Sequence, residues 1–154
     1  MPNTEIWGNA VWLLFHTLAE KLSDNYIENN NASLKRIILL ICQNLPCPDC
    51  ASHATETLKN ANLDSIKTKE HLKYFFWSFH NIVNHKVGNP IVEFDYLAIY
   101  KRAVPRNVVI NFQKKFYNRP YNDKLLINSF TMQGVKRELD EYLNNLLQSG
   151  VFKL

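Results

Sequence analysis

Two cysteines at the start of a predicted helix have the type and spacing to do chemistry. Cys47 and Cys50 are separated by Pro48 and Asp49. Proline is well tolerated at the first position of a helix, so the pair lies where the helix dipole stabilises a thiolate. Two thiols at this spacing can also close a disulfide. The pattern therefore allows a redox-active pair, although the negative charge of Asp49 opposes thiolate formation.

The same two cysteines fit other kinds of site. Cys-x2-Cys is a frequent half of a zinc site, which His53, His80 or His85 would complete. The sequence separation between the cysteines and the histidines is not that of a usual zinc finger. A thioredoxin-like fold would use Pro90 beside the pair, but it needs strands on both sides, where the periodicity favours helices. A zinc-binding interaction module that uses Cys47, Cys50 and His80 or His85 stays open as the alternative function.

A second group of polar and aromatic residues falls on two other predicted helices. Trp12 and His16 are four residues apart on the first helix, and His80, Asn81 and Asn84 follow one another on the fourth. Each set lies on one face of its helix. Taken singly, such residues are more often packing residues than ligands. Together they would present flat rings and amide groups to one cleft, which suits a planar aromatic cofactor.

The elements that must position these residues are predicted from the spacing of apolar side chains. Periods of three and four are typical of amphipathic helices. They predict helices at residues 9–23, 33–45, 48–60, 68–86 and 94–102. Ser33 is a candidate N-cap, and Gly88 with Pro90 is an end signal. The fold class is therefore expected to be all-α.

The pattern changes after residue 106. Val108, Val109 and Ile110 favour extended structure at residues 107–110, and residues 117–122 are typical of a loop. A last helix is predicted at 133–149, where Gly150 is the end signal. We therefore expect residues 1–103 to form one bundle. Residues 104–154 should form an appendage with one further helix, packed on the bundle or at an oligomer interface.

Composition and charge limit the class of protein. The 154 residues suit one domain, and 46% apolar with 21% charged residues is typical of a globular chain. Three cysteines are too few for a secreted disulfide scaffold, and Cys42 falls on an apolar helix face, where we expect a buried thiol. The net charge of +4 comes without a basic stripe, so no nucleic-acid partner is expected. With no signal peptide and no membrane span predicted, we expect a soluble protein.

Three motifs occur in a fixed order along the chain. They are Gly8-x3-Trp12-x3-His16, Cys47-x2-Cys50 and His80-Asn81-x-Val83-Asn84, the last followed by Lys86-Val87-Gly88-Asn89-Pro90. This combination resembles the Erv/ALR family of FAD-linked sulfhydryl oxidases over residues 7–102. Trp7-Gly8 and Tyr96-x3-Tyr100 look most similar to the members encoded by large DNA viruses.

The resemblance implies a four-helix bundle with a short fifth helix that holds FAD at one end. It also implies that Cys47 takes the attack of a dithiol substrate and that Cys50 passes the electrons to FAD, which gives them to oxygen to form hydrogen peroxide. The partners implied are a dithiol protein that docks at Cys47 and a second copy in a homodimer. The cofactor-binding residues implied are Gly8, Asn9, Trp12, His16, His80, Asn81, Val83, Asn84, Lys86 and Tyr100.

The sequence also departs from the family pattern. Asn9 and Asn89 stand where the family commonly has basic residues, and Phe75 stands where it often has tryptophan. The structural disulfide of cellular members and a second, shuttling cysteine pair are both missing. The expected location is the host cytoplasm or the virion for a viral protein, and the mitochondrial intermembrane space for a cellular one.

Overall fold

Helices account for every regular element that the structure describes. The computed structural model describes the backbone of residues 4–118 and 123–152 and the side chains of residues 5–118 and 131–152. Short 3-10 segments, Leu63–Ser65 and Phe94–Arg102, precede and follow the fifth α-helix. The expected all-α class is confirmed. The helices are α1 (Thr4–Lys21), α2 (Asp24–Asn29), α3 (Asn31–Gln43), α4 (Pro48–Asn60), α5 (Lys69–Val87), α6 (Pro105–Phe116) and α7 (Asp123–Ser149).

Helix α1 lies at the centre of the fold. It packs against α5, α6 and the 3-10 segment Phe94–Arg102, while α3 packs against α4 and α7. Leu14, Leu18 and Leu22 are fully buried along one stripe of α1 and its C-terminal end. Burying each such side chain contributes about 1.5–3 kcal/mol. Helices α1, α3, α4 and α5 thus correspond to the bundle expected from the sequence, and the 3-10 segment corresponds to its fifth helix.

Several predicted helix boundaries were wrong. Helix α1 begins at Thr4, before the predicted residue 9, and α3 ends at Gln43, before residue 45. Ser33 lies inside α3 and does not cap it. The short α2 was not predicted; its N-cap is Ser23, whose Oγ accepts a hydrogen bond from the Tyr26 amide at 3.1 Å. This cap stabilises a helix too short to show an apolar period.

The predicted extended structure at residues 107–110 was also wrong, because these residues lie in α6. Pro105 occupies the first turn of the helix, where its missing N–H leaves no partner unpaired. Val108, Val109, Phe112 and Phe116 follow at helical spacing, and all four are buried. Packing of this face against α1 therefore outweighs the preference of β-branched residues for strands.

The segment after residue 103 contains two helices rather than the one predicted. Helix α7 begins at Asp123, ten residues before the predicted start at Gln133. Part of the predicted loop at 117–122 falls on residues 119–122, which lie outside the described residues. Both helices contribute apolar side chains to the same core as α1. The division of the chain at residue 103 stays a prediction.

Polar contacts join α7 to the elements beneath it. The Arg36 guanidinium of α3 donates two hydrogen bonds to the Glu138 carboxylate, at 2.8 and 3.1 Å. The Asp140 carboxylate accepts hydrogen bonds from the side chains of Gln113 and Tyr117 in and after α6. Helix α7 is thus held between α3 and α6. Across the described residues, no helix is both long and apolar enough to cross a lipid bilayer.

Candidate functional site

The two cysteines lie at the N-terminus of α4, as the sequence predicts. Cys47 is the N-cap residue, and Pro48 is the first residue of the helix. The two sulfurs form a disulfide, with the Cα atoms 5.1 Å apart. The Cys50 amide also donates a hydrogen bond to the Cys47 sulfur at 3.2 Å. The helix dipole and this amide therefore both favour negative charge at Cys47.

The third cysteine has a different environment. Cys42 is a free thiol on the buried face of α3, with 1% of its surface exposed. Burial raises the pKa of this thiol to about 12, so it is protonated at neutral pH. The sequence-based prediction that Cys42 is buried is confirmed. Redox chemistry at accessible sulfur is thus confined to Cys47 and Cys50.

Four side chains from three elements form a stack that we call the ring cluster: Trp12, His16, His80 and Tyr100. The Trp12 and His80 rings are nearly parallel, with centroids 4.0 Å apart and planes at 9°. The His16 and Tyr100 rings are stacked at 4.8 Å and 21°. A hydrogen bond of 2.9 Å joins His16 Nε2 to His80 Nδ1. The structure therefore brings together residues that lie far apart in the sequence.

Both histidines of the ring cluster are neutral. Burial, with a smaller contribution from His80, lowers the pKa of His16 to about 3. Burial lowers the pKa of His80 to about 4. One imidazole therefore donates its N–H to the unprotonated nitrogen of the other. Uncharged, flat rings suit stacking against a planar aromatic group.

A loop that we call the strap, residues 88–93, crosses from α5 to the 3-10 segment. Helix α5 ends at Gly88, which has a φ of +80°, and the Asn89 amide donates to the Asn84 carbonyl at 2.8 Å. This pattern is a glycine C-cap that turns the chain back along the helix. At the far end of the strap, the side chains of Trp77 and Asn81 bind the backbone of Val92. Both ends of the strap are thus anchored to α5.

The strap and the ring cluster enclose a small cavity of about 30 Å³. Sequence reasoning did not assign Trp77, Val92 or Leu97 to this site. Trp77 could have been suspected, because it lies three and four residues before His80 and Asn81 on the same helix face. Val92 carries no such signal, since its backbone rather than its side chain makes the contacts. The lining residues are His16, Trp77, His80, Asn81, Val92, Tyr96, Leu97 and Tyr100.

The other residues implied at the cofactor lie on the same two helices. Gly8 and Asn9 precede Trp12 by about one turn of α1. Asn84 is buried, and its amide donates to the Asn81 side chain at 3.3 Å. Val83 is half-buried against the core, and Lys86 is exposed in the last turn of α5. Their contact with a cofactor stays a prediction.

The structure does not support the zinc alternative. Cys47 and Cys50 are bonded to each other, and His80 is hydrogen-bonded to His16. His85 is exposed in the last turn of α5. Among the residues that the structure describes, no group of three or more histidine, cysteine or acidic side chains could hold a metal ion. The cysteine spacing and the presence of histidines as possible ligands suggested this interpretation, but the described part of the fold does not assemble them into a metal site.

The residues of the ring cluster fit the cofactor that the resemblance implies. An adenine or an isoalloxazine is a flat aromatic system, and aromatic side chains stack favourably against such groups. The low pKa values of the two histidines keep positive charge away from that surface. The chemistry of these side chains is therefore suited to holding part of FAD.

Comparison with known proteins agrees with this chemistry. The sequence model of the Erv1/Alr family matches residues 9–104. A protein of Invertebrate iridescent virus 3, named as a FAD-linked sulfhydryl oxidase, is 32% identical over 87 residues, which are 56% of this chain and 59% of the relative. A rice protein of that name is 31% identical over 84 residues, 54% of this chain and 43% of its own length.

A third relative is covered more fully. The vaccinia virus protein of the same name is 30% identical over 88 residues, which are 57% of this chain and 86% of that protein. The chain thus spans little more than half of the iridescent virus relative and less than half of the rice protein. No solved structure matches the chain.

Proposed function

Because the chain belongs to the Erv1/Alr family, we propose that it is a FAD-linked thiol oxidase that forms disulfides in a dithiol protein. The observation that carries this proposal is the Cys47–Cys50 disulfide at the N-terminus of α4, within the segment that the family model matches. The net reaction oxidises one substrate dithiol to a disulfide and reduces oxygen to hydrogen peroxide. Two electrons and two protons pass from the substrate to oxygen.

The cysteine pair carries out the exchange with substrate. A substrate thiolate attacks Cys47, forms a mixed disulfide and releases Cys50 as a thiolate. The second substrate thiolate then attacks the substrate sulfur of that bond and releases Cys47. The Cys50 amide and the α4 dipole stabilise the departing Cys47 thiolate, because both are directed at its sulfur. The substrate leaves with its disulfide, and both cysteines are reduced.

The ring cluster and the neighbouring residues hold the cofactor. FAD, when bound, accepts the electron pair of the reduced cysteines and passes it to oxygen. We assign the stacking contacts to Trp12, His16, His80 and Tyr100. The helix positions support further contacts with FAD at the same end of the bundle. The residues that would make them are Gly8, Asn9, Asn81, Val83, Asn84 and Lys86.

The partners and the compartment belong to the same proposal. A dithiol protein would dock at Cys47. An open groove of about 700 Å³, lined on α4 by residues from Ala51 to Asn60, begins one helical turn after Cys47. A second copy of the chain would pair through the bundle helices. We place the protein in the host cytoplasm or the virion if it is viral, and in the mitochondrial intermembrane space if it is cellular; relatives of both kinds exist.

Two serine variants test the order of the cysteines. Cys50→Ser should keep FAD but lose reduction of the flavin by a model dithiol without oxygen, because the variant has neither the Cys47–Cys50 disulfide nor the thiol that passes electrons to the flavin. Cys47→Ser should also block turnover, but the Cys50 thiolate next to the flavin should give a long-wavelength charge-transfer absorbance. Anaerobic absorbance spectra across a pH series measure both effects.

Cys42→Ala provides the matched control. Its thiol is buried and unbonded, so this variant should retain oxygen consumption with the model dithiol. Flavin reduction at the wild-type rate in Cys50→Ser would overturn the proposed electron path. A purified protein that is colourless, or that binds FAD without consuming oxygen, would overturn the function itself.

A further inference from the structure

Three hydrogen bonds converge on the backbone of one residue of the strap. The Trp77 indole N–H donates to the Val92 carbonyl at 2.7 Å, and the Asn81 amide donates to the same oxygen at 2.9 Å. The Val92 N–H in turn donates to the Asn81 side-chain oxygen at 2.9 Å. Both backbone groups of Val92 are thus satisfied by side chains of α5. We call this arrangement the Val92 clamp.

The Val92 clamp uses the polar atoms of the Asn81 side chain. Its NH₂ group donates to Val92, and its oxygen accepts from Val92 and from Asn84. One N–H of Asn81 and its side-chain oxygen are used on the strap, and the second N–H stays free for the contact with FAD that the family pattern implies. Trp77 has only one hydrogen-bonding group, and that group also faces Val92. Both side chains therefore act on the backbone of the strap.

Little else can fix the strap. Residues 88–91 are exposed, and the Ile91 side chain is 56% exposed. The chain has three cysteines; two are bonded to each other and the third is buried in α3, so a disulfide to the strap is impossible. The strap also has no helix or strand hydrogen bonds of its own at Val92. Beyond Asn89, whose amide is bonded to the Asn84 carbonyl, the position of the strap thus depends on the clamp.

Trp77 also contacts the 3-10 segment that carries Tyr100. The Trp77 ring packs edge-to-face on Phe94, with centroids 5.7 Å apart, and the Lys73 ammonium lies 5.8 Å from the centroid of the Phe94 ring. Farther along, the Lys21 ammonium donates to the Lys101 carbonyl at 2.7 Å. The 3-10 segment is therefore held at its start by Trp77 and near its end by α1.

Because Trp77, Asn81 and Val92 line the same cavity as His16, His80 and Tyr100, the position of the strap sets one wall of the site. We propose that Trp77 and Asn81 are positioning residues that fix this wall by clamping Val92. The identity of the bound group as FAD rests on the proposed function. Trp77 and Asn81 thereby determine how tightly the site closes on the cofactor rather than how electrons move.

Trp77→Phe is the sharpest test, because it removes the indole donor and keeps a ring against Phe94. In the FAD-loaded protein, we expect the dissociation constant for FAD to rise about five- to tenfold, the effect of one lost hydrogen bond. Backbone amides of the strap should exchange with deuterium faster. The rate of flavin reduction by a dithiol, measured on the loaded fraction, should stay unchanged.

Asn81→Asp provides a second variant. The carboxylate still accepts from the Val92 amide but cannot donate to its carbonyl, so strap exchange should again accelerate and FAD should bind more weakly. Phe112→Leu is the control for a merely structural effect, because this substitution in the buried face of α6 destabilises the fold without touching the strap. When its loss of unfolding free energy equals that of the strap variants, it should still leave strap exchange and the FAD dissociation constant unchanged.

The results separate this proposal from the function on which it rests. Unchanged strap exchange in both variants, or an equal loss of FAD affinity in Phe112→Leu, would overturn the clamp as a positioning device. Slower flavin reduction in the loaded Trp77→Phe protein would also contradict it, since Trp77 would then act on the chemistry. A wild-type protein that binds no FAD would instead reject the proposed function, while strap exchange would still report on the clamp.

Discussion

Two neutral histidines in hydrogen-bond contact make the ring cluster sensitive to acid. His16 and His80 share one proton between Nε2 and Nδ1 at 2.9 Å. The third polar ring, Tyr100, has a pKa raised mainly by burial, so it is uncharged at and below neutral pH. A proton added to either imidazole would place a positive charge in a buried contact. The cluster therefore favours the neutral form of both rings.

The protein should lose stability as the pH falls from 7.5 to 5.5. In the unfolded chain both histidines bind protons near pH 6.5, whereas in the fold their pKa values are about 3 and about 4. The unfolded state thus binds more protons between about pH 4 and 6.5, which favours unfolding there. With allowance for partial exposure of His80, we expect the free energy of unfolding to fall by about 2 kcal/mol between pH 7.5 and 5.5. Urea titrations at the two pH values measure it.

A pair of single variants identifies the source of this effect. His16→Asn removes one of the two titrating rings and should roughly halve the loss between the two pH values. His85→Asn changes a histidine exposed in the last turn of α5, so it should retain the wild-type dependence. Equal dependence in all three proteins would show that the ring cluster does not titrate as proposed.

At the scale of single elements, the turn after α5 depends on one backbone conformation. Gly88 has a φ of +80°, a left-handed conformation in which a side chain costs about 1–2 kcal/mol. A Cβ atom added there would meet no atom within 4 Å. Gly88→Ala should therefore lower the free energy of unfolding by about 1 kcal/mol through backbone strain alone. Chemical denaturation measures the change.

Gly134 is the matched control for that substitution. It lies inside α7, and a Cβ atom there would also meet no atom within 4 Å. Alanine is the better helix former, so Gly134→Ala should raise the free energy of unfolding by about 0.5–1 kcal/mol. If both alanine variants changed stability in the same direction, backbone conformation would not be the cause.

The sequence predicts an element well where the apolar period and the end signals lie in the element's own residues. Helix α5 has a long apolar period and a glycine end signal, and its predicted span of 68–86 nearly matches the observed Lys69–Val87. Helix α4 was predicted at its observed bounds because Pro48 marks its start. The sequence-based prediction failed for α6. Its valines favour strands, but their packing against α1 stabilises the helix. Local preference cannot report such distant packing.

The candidate site shows the same limit. The faces of α1 and α5 were enough to predict that Trp12, His16 and His80 belong together. The helix face that Trp77 shares with His80 and Asn81 could have marked it as a site residue, but its hydrogen-bond partner could not be predicted, because any residue type at position 92 supplies a backbone carbonyl. Contacts to backbone groups depend on how the chain folds back, which residue spacing does not encode.

For the molecule as a whole, the C-terminal helices belong to the packing of α1. Phe112 and Phe116 of α6 are fully buried, with their rings stacked at 4.8 Å. Leu139 and Leu143 of α7 are also fully buried in the same core. The family model, by contrast, ends at residue 104. The segment beyond the family match thus supplies part of the interior of this protein.

Phe112→Ala should therefore destabilise the bundle itself by about 3–5 kcal/mol, the usual cost of removing a buried phenylalanine ring. The three tryptophans, Trp7, Trp12 and Trp77, all precede residue 104, so their fluorescence reports on side chains of the bundle. The fluorescence transition of Phe112→Ala in urea should shift together with the transition in circular dichroism, which reports on all helices. Ile110→Ala, on the same helix but 41% exposed, should shift neither by more than about 1 kcal/mol. A Phe112→Ala protein that lost ellipticity early and kept the wild-type fluorescence transition would show that residues 104–154 unfold separately.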